Sequence, residues 1–503
     1  MFSAIPRRWL ILCAVMLAFL PVIIDMTILH IAVPSLTQAL GASSTEVLWI
    51  IDIYPLLMAG LLVPMGTLAD RVGTRRIMLA GLLVFGIASL LAAFSATPGM
   101  LIGARVLLAA GGAMIMPCVL GVIRKTFEDE RERAIALGLW GTVGAAGAAI
   151  GPLVGGALLE HYWWGSVFLI NVPIMLVVVS VAYALLPRQE ATTAGSWAIG
   201  QALVLIAGII AVVYSLKAGM AGSQPLARTV PLLLGGLALL AWFARAQLHS
   251  ATPMLDLSLF RHPPIVAGMV MALVACGALA GVELTLAQEL QYVLEKTPLQ
   301  AGVFMIPIMA AAAIGGPVAG YLSNLLGLRL VASLSMAIAA LALAWLAQAD
   351  LNDSGWQVPA ALTVMGLSLS IGLTASSIAI MGAVDASKGG AAGSLEATGY
   401  ELGSGLGITL FGVFMASVYS RTIVLPPQLA GALQEQAAQS IGNSFLVART
   451  LAPDQADAVI AAARTAFSAT HSTVLTAAAA LIALLALAVY LMLGTTPARA
   501  AGG

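Results

Sequence analysis

The stretch Gly66–Arg76 reads GTLADRVGTRR. It places two glycines, one acid and three arginines between apolar runs that are each long enough to cross a bilayer. Gly66 and Gly73 permit a close approach or a turn that a Cβ would obstruct. Asp70, at the end of a helix, can cap a neighbouring terminus or pair with Arg71, Arg75 and Arg76. Taken for its charge alone, the stretch is equally an ordinary charged turn between two membrane spans. Either way, the chain on both sides must be read as membrane helix.

Composition agrees. The 503 residues are 61% hydrophobic and 9% charged, against roughly 25% charged in a soluble domain. The formal net charge of +0 argues against nucleic acid as a partner. Cys13, Cys118 and Cys276 lie singly in apolar runs and read as small hydrophobes rather than disulfides or metal ligands. Arg7 and Arg8 followed by a long apolar run imitate a signal peptide. The run continues past twenty residues without a small-residue cleavage site, so it reads as the first span.

About twenty apolar residues span the hydrocarbon core, and by that measure fourteen spans are expected: 9–33, 47–67, 76–95, 99–121, 134–158, 165–186, 197–216, 230–248, 264–288, 299–322, 329–348, 357–381, 391–419 and 471–493. With the N-terminus inside, fifteen of the 22 lysines and arginines fall on inner segments and six, including Lys217, on outer ones; Arg105 is left within a span. Both termini are therefore expected in the cytoplasm.

A faint repeat divides the chain. Gly66, Leu68, Asp70, Gly73 and Arg75 recur as Gly320, Leu322, Asn324, Gly327 and Arg329, and Gly151 maps onto Gly405 by the same offset. The expected fold is all-α: two six-helix pseudo-repeat bundles with an inserted two-helix hairpin. The expected divisions are an N-terminal bundle over 1–187, the inserted linker over 188–255, spans nine to thirteen over 256–419, a long outer loop over 420–470, and the last span with its tail over 471–503. Within that loop, Asp454 after Pro453 suits the start of a helix, which would pack on the outer mouth or in the headgroup layer. A tolerated surface insertion is an equal alternative.

Ionisable residues inside spans mark pathways, because an isolated charge in hydrocarbon is costly. Asp25 lies in the middle of IIDMTILHIAVP, Ile23–Pro34. Asp52 in WIIDIYP is close enough to the outer interface to reach water. Glu283 lies toward the outer end of span nine, with Glu289 beyond it. Glu396 and Glu401, in LEATGYELGSGLG, point about 140° apart on a helix and can both border a cavity. Arg105 is the only intramembrane cation expected, and it needs an acid or backbone carbonyls as partner. It lies in the same half as Asp25, so the two can pair, either as a fixed salt bridge or in proton transfer. Gly147, Gly151 and Gly155 recur every four residues in GAAGAAIGPLVGG, Gly144–Gly156, and give one face that another helix can approach; Pro152 loosens the helix there.

These motifs carry a resemblance. The Gly66–Arg76 loop is similar, position by position, to the loop between helices 2 and 3 of the major facilitator superfamily. Gly147, Gly151, Pro152, Gly155 and Gly156 resemble the fifth-helix signature of its drug-exporting antiporters, and FLINVP, Phe168–Pro173, resembles the opening of their sixth helix. Asp25, Thr27, Ala32 and Pro34 resemble the first helix of the fourteen-helix drug:proton antiporters, and Arg105 the buried fourth-helix arginine of the superfamily. The chain looks like a quaternary-ammonium and methyl-viologen exporter of that kind. One departure is IPIMAAAAIGGP, Ile306–Pro317, where some relatives carry an additional acid.

The resemblance implies proton-coupled efflux of lipophilic mono- and divalent cations across the bacterial inner membrane. Asp25, Glu401, Glu396, Asp52 and Glu283 would then serve proton coupling and cation binding, with Arg105 as buried basic partner and Gly66, Asp70, Arg71, Gly73, Arg75 and Arg76 as a conformational latch. It implies small cationic drugs, protons and the bilayer as partners, with no cofactor beyond the proton gradient, no metal, and no obligatory protein partner. A proton-coupled carrier of a metabolite is the alternative within transport. A membrane-embedded enzyme or sensor is the alternative outside it. The five histidines show no metal spacing, and neither a phosphate-binding GxxxxGK[ST] loop nor a GxSxG nucleophile turn occurs.

Overall fold

The computed structural model describes residues 7–186, 199–220, 225–250, 253–352, 355–384 and 389–493. Arg188, Lys388, Arg499 and both chain ends, on which part of the topology reading rests, lie outside the described residues. Apolar sequence in hydrocarbon must satisfy its backbone internally, so helix is the form it takes. In chain order the helices are α1 Arg7–Leu40, α2 Ser44–Val72, α3 Thr74–Ala93, α4 Pro98–Thr126, α5 Glu130–His161, α6 Ser166–Leu169, α7 Asn171–Leu185, α8 Ile199–Met220 and α9 Leu226–His249. They continue as α10 Pro263–Gln288, α11 Pro298–Phe304, α12 Ile306–Leu326, α13 Leu328–Leu346, α14 Gln357–Gly382, α15 Gly389–Thr422, α16 Gly431–Ala437, α17 Ile441–Ala448 and α18 Pro453–Leu493. Among the described residues, 13 helical segments are long and apolar enough to cross a membrane; α5, which covers the remaining expected span over 134–158, is not among them.

The two halves pair their helices alike. In the first, α1 packs on α5, α2 on α4, α3 on α4, and α3 on α7; in the second, α10 packs on α15, α12 on α14, α13 on α14, and α13 on α18. The inserted α8 and α9 pack on each other, and α8 also reaches α2 and α15. Gly73 and Gly327 both have positive φ, 111° and 82°, and each closes one helix while starting the next. The arginines two residues on repeat one another too. Arg75 donates to the Tyr183 carbonyl at 2.7 Å, with its guanidinium over the Tyr183 ring; Arg329 donates to the Tyr490 carbonyl at 2.9 Å, with its guanidinium over the Tyr490 ring.

The helix expected to start at Asp454 after Pro453 runs without a break into the final span: α18 is a single helix of 41 residues from Pro453. Its first turns carry Asp454, Asp457 and Arg464, and a helix projecting beyond the hydrocarbon has no need to be apolar. The outer segment over 420–470 also holds α16 and α17, with α17 packed on α18 and α16 on α17.

The halves meet toward the end of the bundle that carries the Gly41 turn, hereafter the Gly41 end. There α5 packs on α11, α2 on α15, and α1 on α10 and α17. Gln291 donates to the Ile31 carbonyl at 3.0 Å, Gln38 to the Gly442 carbonyl at 3.1 Å, and Arg449 to the Gln38 carbonyl at 3.2 Å. At the opposite end the Gly73 turn bonds within its own half: Lys125 donates to Thr74 at 3.1 Å, and Arg75 reaches Tyr183. Asp70, Arg71 and Arg76 are exposed there, as are Asn324 to Gly327 in the second half.

Candidate functional site

The α5 glycines position α1. A Cβ on Gly147 would lie 3.0 Å from Leu20 and 3.2 Å from Ile23, one on Gly155 2.5 Å from Ile28, and one on Gly151 would collide with the Thr27 hydroxyl. These α1 residues flank Asp25, so the glycine row seats the helix that carries the first acid. The second half of the motif does something different. A Cβ on Gly156 would lie 2.7 Å from Leu299 Cα and from the Pro298 carbonyl, and one on Gly302 would lie 2.5 Å from the Pro152 carbonyl. Gly156 and Pro152 thus belong to the seam between the halves. Gly66, whose Cβ would lie 3.3 Å from Pro117, brings α2 close to α4.

Asp25 is fully buried and forms a short ion pair with Arg105, itself 1% exposed. Arg105 also donates Nε to the Ile50 carbonyl at 3.0 Å and lies over the Tyr54 ring at 4.7 Å. Three helices of the first half, α1, α2 and α4, therefore share one charge. A buried guanidinium needs this many partners, because its donors lie fixed in a plane. Tyr54 lies within electrostatic reach of Asp25, Arg105 and also Glu401 of the second half. Asp25 and Glu401 themselves share no hydrogen bond among the described residues.

The second-half acids are poorer in partners. Glu396 accepts from the Tyr400 hydroxyl at 2.6 Å, one helical turn along α15. Glu401 is buried, and its Oε2 has no hydrogen-bond partner among the described residues. Cys276 of α10 lies within electrostatic reach of both acids. Glu283 faces His30 of α1 across the seam at 3.7 Å, an ion pair when His30 carries a proton. Glu289 accepts from Ser468 of α18 at 2.7 Å.

Asp52 departs from its reading. It is fully buried rather than able to reach water, and its Oδ2 lies 2.6 Å from Lys217 Nζ and accepts from Thr409 at 2.5 Å. Lys217, expected on an outer segment, is a second intramembrane cation at 2% exposure, with its ammonium 3.7 Å from the Trp49 ring centroid. The expectation that Arg105 stands alone is corrected accordingly. A lysine three residues from the end of a span looks like one that snorkels to the interface, and nothing local shows that its head turns inward. The available signal was an unpaired acid in a neighbouring span.

The family model described as Major Facilitator Superfamily matches residues 15–407. The chain is 46% identical over 493 residues to the methyl viologen resistance protein SmvA of Salmonella typhimurium, covering 98% of this chain and 100% of that one. It is 33% identical over 465 residues to the multidrug efflux pump LfrA of Mycolicibacterium smegmatis, covering 92% and 91%. Among solved structures it resembles a bacterial homolog of the human lysosomal transporter Spinster, in an inward-facing and unoccupied conformation, with a TM-score of 0.65 and 17% identity over 99% of this chain and 100% of that one.

Proposed function

Because the chain belongs to the major facilitator superfamily, we propose that it exports lipophilic cations across the bacterial inner membrane in exchange for protons. It is a multi-pass membrane transporter and not an enzyme. The observation that carries the choice of cations is the inventory of buried charge. Among the described residues six carboxylates are buried, at Asp25, Asp52, Glu283, Glu289, Glu396 and Glu401, against one arginine and one lysine. Both of those cations are already paired with carboxylates. An anionic or neutral metabolite would meet no unneutralised positive group there, whereas a cation meets several acids. The names of the methyl viologen and multidrug relatives support the same class of substrate.

With the orientation given by the distribution of lysine and arginine, the Gly41 end faces outward and the packing described is closed on that side. A cation then enters from the cytoplasmic side and reaches Glu401, Glu396 and Glu283. Asp25, held by Arg105, is the coupling acid. A proton arriving from outside neutralises its carboxylate and frees the guanidinium to rearrange among its remaining partners. The proton gradient supplies the energy, and no other cofactor, nucleic acid or protein partner takes part. The Gly66–Arg76 turn closes the cytoplasmic side in the opposite state.

The test is reconstitution. Purified protein in liposomes with an imposed proton gradient moves ethidium and methyl viologen uphill, and collapse of the gradient stops it. Cation movement indifferent to the gradient, or none in active preparations, refutes the proposal.

A further inference from the structure

The surroundings of Lys217 have the chemistry of a cation-binding site that is already filled. Its ammonium touches a buried carboxylate, Asp52, at 2.6 Å and lies 3.7 Å from the centroid of the Trp49 ring. A carboxylate beside an aromatic face is what recognises ammonium and quaternary-ammonium ligands. Thr409 completes the site by donating to the same Asp52 oxygen, while the other oxygen, Oδ1, has no hydrogen-bond partner among the described residues.

The position matters as much as the chemistry. Asp52 and Thr409 lie in the α2–α15 seam between the halves. On one side of them Leu48 fits against Gly412, and on the other Leu56 fits against Gly405, where a Cβ would lie 2.7 Å from the leucine. Opening the Gly41 end parts this seam, because α2 and α15 belong to different halves. Asp52 and Trp49 are on α2, Thr409 is on α15, and Lys217 is on the inserted α8. The site can therefore exist in full only while that end is closed, and it faces the opening when the end parts.

We propose that Asp52 and Trp49 form an exit station for the exported cation on the outer side, and that Lys217 is its tethered competitor. When the seam opens, a lipophilic cation passes onto Asp52 and the Trp49 face. When the seam closes, the Lys217 ammonium returns, Thr409 re-forms its bond to Asp52, and the cation is expelled outward. A tethered group competes at an effective concentration on the order of millimolar or above, so it can displace a weakly held cation without a further energy source. The inserted hairpin thereby acquires a role in release. This inference rests on the reading of the chain as a cation exporter.

The experiment is equilibrium ethidium binding and proteoliposome efflux for wild type, Lys217→Met and Asp52→Asn/Lys217→Met. Wild-type efflux tests the exporter reading by itself, and the variants test the station. Lys217→Met is expected to bind ethidium at least about fivefold more tightly and to turn over more slowly, with external ethylammonium restoring the rate as a free substitute for the lysine. Asp52→Asn/Lys217→Met removes both charges, so the gain in affinity disappears. Removing one partner of a buried pair is far more destabilising than removing both, so a measurement on wild type stands behind Lys217→Met should that variant not fold. Wild type then carries the test: saturating ethidium should increase labelling of Lys217 by an amine-reactive ester, read by peptide mass spectrometry. Efflux by wild type together with unchanged ethidium affinity in folded Lys217→Met, a gain that persists in the double variant, or labelling indifferent to ethidium overturns the station while leaving the exporter reading intact.

Discussion

Gly156→Ala separates conformational equilibrium from folding. The added Cβ would lie 2.7 Å from Leu299 Cα and from the Pro298 carbonyl, both backbone atoms of α11 that cannot rotate away. Overpacking of this kind costs about 1–3 kcal/mol. The contact joins two halves, so the molecule relieves the clash by parting the Gly41 end rather than by unfolding. The full cost then falls on the equilibrium between the two states, which should shift about 5- to 150-fold. The assay is the labelling rate of a cysteine placed at Leu48, beside the seam, in a background lacking Cys13, Cys118 and Cys276. Labelling by an impermeant maleimide from outside should rise by at least about fivefold, with folded yield near wild type and efflux reduced. Gly151→Leu is the contrast, because its clash with Thr27 lies within one half and cannot be relieved by parting the halves. If Gly156→Ala leaves labelling unchanged, the α5–α11 contact is not what holds this end closed.

Gly151→Leu should reach the membrane at a small fraction of the wild-type level, measured by blotting of membrane fractions; normal efflux would mean that α1 is not seated there. Asp25→Asn should abolish proton-driven ethidium efflux while ethidium still binds. It also leaves Arg105 without its counter-charge at a cost of about 3–5 kcal/mol, so folded yield must be followed by gel filtration. Asp70→Ala should slow efflux at least tenfold with ethidium affinity changed no more than a few-fold, and a large affinity loss at normal turnover would count against a latch. Glu401→Gln should weaken binding of divalent methyl viologen more than of monovalent ethidium, measured by competition; equal losses would mean that the acids do not share a dication.

The bundle was legible because a bilayer imposes one requirement on every span, and length with apolarity expresses it. The Asp25–Arg105 pair was legible for a similar reason: both charges stand in the middle of apolar runs, and each needs the other. Lys217 was not. Its charge lies near a span end, where water is usually close, and its partner is on another helix, so only the packing of α8 against α2 shows that the ammonium points inward. The start of α18 was legible from Asp454 after Pro453, but its unbroken run into the final span was not, because charges at Asp457 and Arg464 suggested a break where the helix leaves the hydrocarbon. Nor could the glycine motif disclose its two duties. Gly151 and Gly156 look alike in sequence, yet one meets α1 of its own half and the other meets α11 across the seam.

The halves repeat their internal contacts but not their charges, and that difference bears on how exchange is organised. The buried ion pairs with arginine or lysine lie at Asp25 and Asp52, both in the first half. Glu283, Glu289, Glu396 and Glu401, all in the second half, have no arginine or lysine ion-pair partner among the described residues. A carboxylate neutralised by a protein cation gains little from a drug cation while that pair holds and much from a change in the pairing, which suits it to drive motion. A buried carboxylate without such a partner gains a great deal from either a proton or a drug cation, and cannot hold both charges at once. Competition between proton and drug therefore belongs to the second half, whereas the paired acids of the first half act through a change of partner, at Asp25 with Arg105 and at Asp52 with Lys217. Tyr54, within electrostatic reach of Asp25, Arg105 and Glu401, stands where the two must communicate.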